Sequence, residues 1–590
     1  MESWPAAEPE FEIAPEAVAK NLACARQLMR DKGLDALVVT SADCHLNEYT
    51  PRLDNHRYYL SRFTGSTALM LVLATGRAKL YVDGRYHLQA DEEVDEALIE
   101  VVKIRLGTML SAALMTDIAT SGRVGYEGDR VSHVLAKAIE AAGETSLSLD
   151  DGELAEALSR AAIRHEKALQ FIDSSISGRS LEEKLDLVFA DVEEPSRTAI
   201  LLAALDDIAW LSEGRGYHFL YQSSFAAQGF ATAKSVELTV DESVFHAGFE
   251  GASPQVHFHR ERPEAIFLRP EFQSIATILY DESQVTAAFL RRIKKARPDC
   301  RLVCISNPVV ATKTLKTAAE LDHMIESNTR SCRAIARTQR WVWDRFAAGE
   351  EVDELSFYDR ANRHYEEEGA RDLSFQTIAA VGANSALIHF SNPQASNVAR
   401  PNDLLLLDSG ALYEGGFATD ITRTFLAGGA TAEASERQKS IYTLVLKGLL
   451  QGMMAIFPEG TCGAYLDARC RAPIYAAGFD YAHGTGHGVG VHVHEPGVGL
   501  APTSKLPLRA GQVSSIEPGI YLAGFGGVRL ENVVVYEAHP EHEGFLRSRP
   551  LNYIGFDPRL TDLSALTVEE RTYLEDYESA CKKRGTSFRP

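Results

Sequence analysis

The chain has 590 residues, 45% of them hydrophobic and 24% charged, with 60 basic side chains against 82 acidic ones and a formal net charge of −22. This length exceeds what one hydrophobic core accommodates, so roughly two to four domains are expected, and the composition is that of a globular chain rather than a disordered or fibrous one. The negative charge disfavours nucleic acid and the anionic face of a membrane as partners, and eight scattered cysteines without a CxxC pair point neither to a disulfide framework nor to a thiolate zinc site.

The first segment, MESWPAAEPEFEIAPEA, is acidic and lacks the basic and apolar regions of a secretory signal, and the apolar run ALMLVLA at 68–74 falls far short of a bilayer span. A cytoplasmic, reducing location is expected. A helical pattern over Pro15–Lys32 leads into the buried-strand run DALVVTSADCH at 35–45, and STALMLVLATGRAKLYVDGRY at 66–86 reads as two strands around a Gly turn. A second version follows: SLEEKLDLVFAD as helix, TAILLAALDDIAW at 198–210 as strand, and SVELTVDES at 235–243 ending on Val-Asp as KLYVDGR does. Residues 36–43 thus echo 199–206. VHFHRERPE at 256–264 invites a metal reading, but its charge pattern predicts a solvated loop or edge strand.

After Pro308 the pattern changes to a long amphipathic helix, TLKTAAELDHMIESNTRSCRAIARTQRWVWDRFAAG, capped by Thr and closed by Gly. It opens a third domain, and the chain divides into 1–174, 175–312 and 313–590. In the third domain LLLLDSGALYEGGFATDITRT at 404–424 drives an apolar run into Asp408 and plants Asp420 among threonines. Taken alone, each acid is a turn residue or cap. As paired strands of a hairpin, however, 404–408 and 417–425 would bring two buried like charges together, at a cost of several kcal/mol unless a cation lies between them. Further along stand His483 and His487 in HGTGHGVG, His494 in VHVHEPG, Glu517 in SSIEPGIY and Glu531 in GGVRLENVVVY. Strand alternation sets Arg529 and Glu531 on one face, with Arg529 placed to support a metal-bound carboxylate. Gly484, Gly486, Gly488 and Gly490 argue against a helix through the two histidines and for close backbone approach to something bound. Four carboxylates and one imidazole suit hard or borderline ions such as Mn²⁺, Co²⁺ or Zn²⁺. Two such ions about 3.5–4 Å apart lower the pKa of a bridging water toward 7, which is hydrolytic chemistry.

The motifs DSG, TDITRT, HGTGHGVG, VHEPG, IEPGIY and VRLEN, in this order, resemble the metal-site motifs of the pita-bread metallopeptidases, and among them those of the aminopeptidase P (Xaa-Pro aminopeptidase) family. FTGSTALML with YVDGRYHLQA resembles that family's first domain, ALDDIAWL its second, and TIAAVGANSALIHFSNP the approach to its catalytic domain. The resemblance covers nearly the whole chain. It implies an α/β (α+β) protein: two creatinase-like N-terminal domains, in which His56, Arg85 and Trp210 act mainly as scaffold, followed by a pita-bread catalytic domain. It also implies metal ligands at Asp408, Asp420, His487, Glu517 and Glu531, with Asp420 and Glu531 bridging two ions, most simply Mn²⁺. Glu517 would also hydrogen-bond the attacking hydroxide, His389, His483 and His494 would face the substrate, and Arg529 and Tyr521 would lie behind the ligands. His492 is left as structural. The hairpin between Asp408 and Asp420 is one residue longer than the family pattern, absorbable by a bulge near Gly415 and Gly416, and the loop from His487 to His494 is shorter.

The implied activity is hydrolysis of the bond between a peptide's first residue and a following proline, whose tertiary amide lacks an N–H and fixes φ, by a cytoplasmic homodimer. A prolidase acting on Xaa-Pro dipeptides is the alternative within the class. Methionine aminopeptidase is disfavoured by the two extra domains, and creatinase by the intact ligand set. An inactive pita-bread module that binds proteins is the alternative from another class, and metal content discriminates it.

Overall fold

The computed structural model describes residues 11–150, 152–160, 167–429 and 432–588, so much of the acidic first segment lies outside the described residues. Chain contacts group into two compact units, one reaching to Ser174 and resuming over Arg179–Lys313, the other running from Thr314 onward with Ser175–Gly178.

In the first unit the helix Pro15–Lys32 starts on its proline and stops at Gly33, whose φ of 64° takes the left-handed conformation that glycine tolerates. It precedes a six-stranded sheet ordered, edge to edge, Ile99–Lys103, Ala78–Val82, Leu69–Leu73, Ala36–Thr40, Arg123–Glu127, Thr145–Leu149. A second six-stranded sheet runs Val256–His259, Val236–Val240, Ala227–Ala231, Thr198–Leu202, Thr277–Tyr280, Arg301–Cys304. Taken in chain order the two sheets have the same strand sequence, and strand for strand the same parallel and antiparallel pairings. The echo between 36–43 and 199–206 is therefore a topological repeat: both segments supply the strand at which antiparallel pairing on one side gives way to parallel pairing on the other.

One boundary differs from expectation. The strand expected over 198–210 ends at Leu202, and Leu205–Ser212 is a helix with Asp206 and Asp207 in its first turn, where carboxylates favour the helix N-terminus. The histidines of VHFH lie on an edge strand, and each contacts a different oxygen of Glu237, at 2.9 and 2.7 Å. His56 pairs with Glu127 at 2.7 Å, Arg85 with Asp83 at 2.8 Å, and Trp210 is buried with the Lys184 ammonium 4.4 Å from its ring centroid.

The second unit opens with the 30-residue helix Ala318–Ala347, started by a capping box between Thr317 and Glu320; Gly349, just past its end, takes φ of 72°. Two sheets follow. The first, Ile378–Val381, Leu404–Ser409 and Ile421–Leu426, is antiparallel and fully buried, which is why LLLLDS reads as an unbroken apolar run. The second is ordered Ile456–Pro458, Phe545–Pro550, Asn532–Ala538, Val513–Ile516, Gly486–Gly488, Glu495–Leu500, antiparallel throughout. Helices Glu436–Met453 and Gly463–Ala476 close the core, with Val445, Leu449 and Ile474 packed against Ile516 and Val534.

Candidate metal centre

The ligand candidates come from different strands and from the breaks between strands. Antiparallel pairing sets Asp408 opposite Thr422, so Asp420 is its diagonal neighbour on the same face, just ahead of the strand Ile421–Leu426. The ladder carries no register shift there, and Gly415 and Gly416 lie in the connection with φ of 86° and 73°. The bulge lies instead between His487 and Gly488. Expected alternation through VRLEN gives way to a break: one strand ends at Arg529 and the next starts at Asn532, leaving Glu531 between two sheets with its N–H donating to Thr422 O at 3.1 Å. Glu517 sits in the corresponding break after Val513–Ile516, its N–H donating to Thr485 O at 2.7 Å.

These positions bring the five together. One ligand atom each of Asp420, His487 and Glu531 lie within 4.8 Å of one another, and His487 Nε2 is 3.4 Å from both Asp420 Oδ2 and Glu517 Oε1. His487 Nδ1 lies 3.1 Å from Gly488 O; a carbonyl only accepts, so Nδ1 carries a proton and Nε2 is the nitrogen turned toward the acids, the orientation a metal ligand needs. Asp408 Oδ2 accepts from Arg529 Nη2 at 2.5 Å and Glu531 Oε2 from Thr422 Oγ1 at 2.8 Å. Asp408 Oδ1 and Glu531 Oε1 are buried with no hydrogen-bond partner. Burial, then Asp408 and Glu517, hold the Asp420 carboxyl well above the usual range; burial, then Asp420, Asp408 and Glu517, do the same to Glu531. Glu517 is raised by burial against the opposing pull of His487 and Arg529. Buried carboxylates that raise one another and leave oxygens unpaired make a poor protein interior and a good cation site.

Behind the acids runs a hydrogen-bonded chain. Arg529 Nη1 donates to the Tyr521 hydroxyl at 2.9 Å, which in turn donates to His483 Nε2 at 2.9 Å, while His483 Nδ1 donates to Gly484 O at 2.7 Å. Both nitrogens of His483 are thus engaged by protein groups, so it faces the site through Tyr521 and through Glu517, 3.8 Å away. Burial pushes the Tyr521 hydroxyl up to about 12, which keeps it a donor at neutral pH. The His494 ring lies 4.2 Å from that of His487, centroid to centroid. His389 follows the turn Gly382–Ala386, and Arg529 Nη1 holds the preceding carbonyl, Ile388 O, at 3.3 Å. His492 accepts the His494 backbone N–H on its Nδ1 at 3.1 Å.

Two features escape sequence reasoning. Thr422 Oγ1, besides donating to Glu531, accepts from Arg529 Nε at 3.1 Å and so joins the two. Its only signal was its place in TDITRT. The glycines of HGTGHGVG do make close backbone approaches, but to protein: a Cβ on Gly486 would lie 2.0 Å from Ser515 O, and one on Gly488 2.4 Å from Glu495 O.

Such a fold and site define a carboxylate–histidine metalloenzyme. Residues 322–538 match metallopeptidase family M24, and 22–158 and 160–320 each match a Creatinase/Prolidase N-terminal domain. The chain is 31% identical over 602 residues to "Probable Xaa-Pro aminopeptidase P" of Sordaria macrospora, covering 96% of both chains. It is 30% identical to the protein of the same name in Neurospora crassa, over 96% of this chain and 86% of that one. The X-prolyl aminopeptidase of Caenorhabditis elegans, described as a cytosolic enzyme with a di-nuclear active site, matches with a TM-score of 0.85 at 25% identity over 96% of each chain. The chain belongs to the Xaa-Pro aminopeptidase P family of the M24 metallopeptidases.

Proposed function

We propose that the protein removes the N-terminal residue from peptides with proline in second place, using two divalent ions held by Asp408, Asp420, His487, Glu517 and Glu531. The observation that carries this reading is the convergence of Asp420, His487 and Glu531 within 4.8 Å beside the unpartnered Asp408 Oδ1 and Glu531 Oε1. Asp420 and Glu531 would be shared between the ions, as the family likeness implies. When bound, such ions lower the pKa of a water toward about 7 and polarise the scissile carbonyl.

The protein groups do the rest. Glu517, raised by burial and facing His487, takes the proton of the attacking water and delivers it to the departing proline nitrogen. His494 and His389 stand on the substrate side, where an imidazole N–H stabilises the oxyanion of the tetrahedral intermediate. His483 with Tyr521 and Arg529 fixes the orientation of Asp408 and Glu517.

Manganese, a cytoplasmic location, a homodimer and the three-domain division at 1–174, 175–312 and 313–590 belong to the same reading. Manganese rests on the hard oxygen donors with a single imidazole, location on the cytosolic relative, and the dimer and domain limits on family likeness. The test is release of the first residue from an Xaa-Pro-Yaa tripeptide by metal-free and Mn²⁺-loaded protein, beside Asp420→Ala. Metal-dependent cleavage that the variant loses is expected. Cleavage of Xaa-Pro dipeptides alone would make the protein a prolidase, and no cleavage of either would overturn the peptidase reading.

A further inference from the structure

The loop over 489–495, which presents His494, ends on a carboxylate for which the reaction has no use. Glu495 forms an ion pair with Lys316, the residue immediately before the Thr317 cap of the long helix, and each side chain is 1% exposed. The pair occupies the space that Gly490 leaves empty: a Cβ there would lie 2.0 Å from Glu495 Oε1 and 2.6 Å from Lys316 Nζ. Glu495 Oε1 also accepts from Val491 N at 3.4 Å, so the carboxylate gathers the loop around itself. The scaffold grips from two further directions. Lys316 N donates to Gly511 O at 3.0 Å, and Ala418, two residues before Asp420, donates from its N–H to Gly490 O at 2.8 Å. Within the loop, Gly490 N donates to His492 O at 3.1 Å and His494 N to His492 Nδ1 at 3.1 Å.

A stretch with glycine at 484, 486, 488 and 490 has many backbone conformations open to it. A buried ion pair is a poor source of net stability, but any conformation that separates its partners strands a charge in an apolar interior, so it singles out one geometry. Here that geometry is the one that brings the His494 ring against His487. We propose that Lys316 and Glu495 are positioning residues that set the reach of His494 toward the substrate carbonyl. The assignment rests on the peptidase reading, in which His494 faces the substrate.

The experiment compares Lys316→Met, Lys316→Arg and Glu495→Gln with the wild type in the full chain. Two readouts are taken: kcat and KM on an Xaa-Pro-Yaa tripeptide per metal-loaded site, with Mn²⁺ content measured directly, and the ring ¹⁵N signals of His494 and His389 in histidine-labelled protein. Lys316→Met and Glu495→Gln are expected to lower kcat by on the order of tenfold to hundredfold, the loss a displacement of about 1 Å brings, with KM within about twofold, because a transition-state contact is lost. The His494 signal shifts while that of His389 stays, and Lys316→Arg recovers most of the rate. If Lys316→Met does not fold by circular dichroism, Glu495→Gln and Lys316→Arg carry both readouts. An unchanged kcat per loaded site together with an unchanged His494 signal would overturn the proposal and leave the pair a packing feature. Should the wild type cleave no tripeptide, the peptidase reading falls, and the His494 signal alone decides whether the pair sets that ring.

Discussion

Thr422 is a small side chain that joins two groups at the centre: its hydroxyl donates to Glu531 and accepts from Arg529, whose fork also grips Asp408 and Tyr521. Thr422→Val removes that hydroxyl at nearly constant volume. Mn²⁺ affinity, measured by titration calorimetry on metal-free protein, is expected to fall about 10- to 100-fold, as when other groups that orient metal ligands are lost. An unaltered affinity would mean that Glu531 is oriented by its backbone alone. A second residue-scale prediction concerns His364, buried on the helix Glu354–Glu367, with its Nδ1–H donating at 2.8 Å to Thr338 Oγ1 of the helix Ala318–Ala347. Burial, then Arg337 and Arg360, push its imidazole down to about 4 from an ordinary 6.5. The unfolded chain therefore takes up a proton that the folded one refuses. The stability this residue contributes is complete above about pH 6.5 and is lost as pH falls toward 4, amounting to about 2 kcal/mol between pH 7 and 5. Urea midpoints at the two pH values should differ less in His364→Asn than in the wild type, and an equal difference would sink the assignment.

At the scale of elements, the strand Gly486–Gly488 is three residues long yet places His487 between two neighbours, Glu495–Leu500 and Val513–Ile516. It can lie so close only because Gly486 has no Cβ to meet Ser515 O. Gly486→Ala is expected to destabilise the protein by about 3 kcal/mol through backbone displacement, and to weaken Mn²⁺ binding as His487 moves. Calorimetric unfolding with and without Mn²⁺ reads both effects, and a wild-type response would show that the strands part at little cost. The neighbouring strand Ile421–Leu426 is anchored differently. Its buried Arg423 donates to Glu531 O at 2.6 Å, Ile554 O at 2.7 Å and Gly555 O at 3.0 Å, tying the metal-site strand to the segment that leads to the last helix. That segment lies beyond the residues that match family M24, and through Arg423 it nonetheless helps to hold Glu531 in place.

At the scale of the whole molecule, the second unit closes around four carboxylates whose repulsion a cation relieves. Binding to the folded state alone should stabilise it by about 2.7 kcal/mol at a free Mn²⁺ concentration of one hundred times Kd. The melting midpoint of metal-free protein should rise by several degrees with Mn²⁺, and Asp420→Ala should abolish that rise. A rise that persists in the variant would place the ion elsewhere. The first unit, with its two sheets of identical strand order, carries no comparable set: among the described residues, Asp420, His487 and Glu531 alone form a group able to hold a metal.

Much of this was legible in the chain itself. Local rules place Pro15–Lys32 to the residue and Ala318–Ala347 to within about a turn, because a proline start, a Thr–Glu capping box and a left-handed glycine act over a single turn. Asp408, Asp420, His487, Glu517 and Glu531 stood out as candidates too, since charged groups in buried-strand text conflict with burial unless something compensates them. Periodicity failed at 198–210 and at VRLEN, where apolar and alternating runs continue across a change from strand to helix and across a break between sheets. Only the tertiary structure decided how Asp408, Asp420, His487, Glu517 and Glu531 meet, how Thr422 joins Glu531 to Arg529, and that Lys316 reaches Glu495. Each of those depends on ladder hydrogen bonds and burial between segments tens to nearly two hundred residues apart, and no local propensity encodes a pairing at that distance.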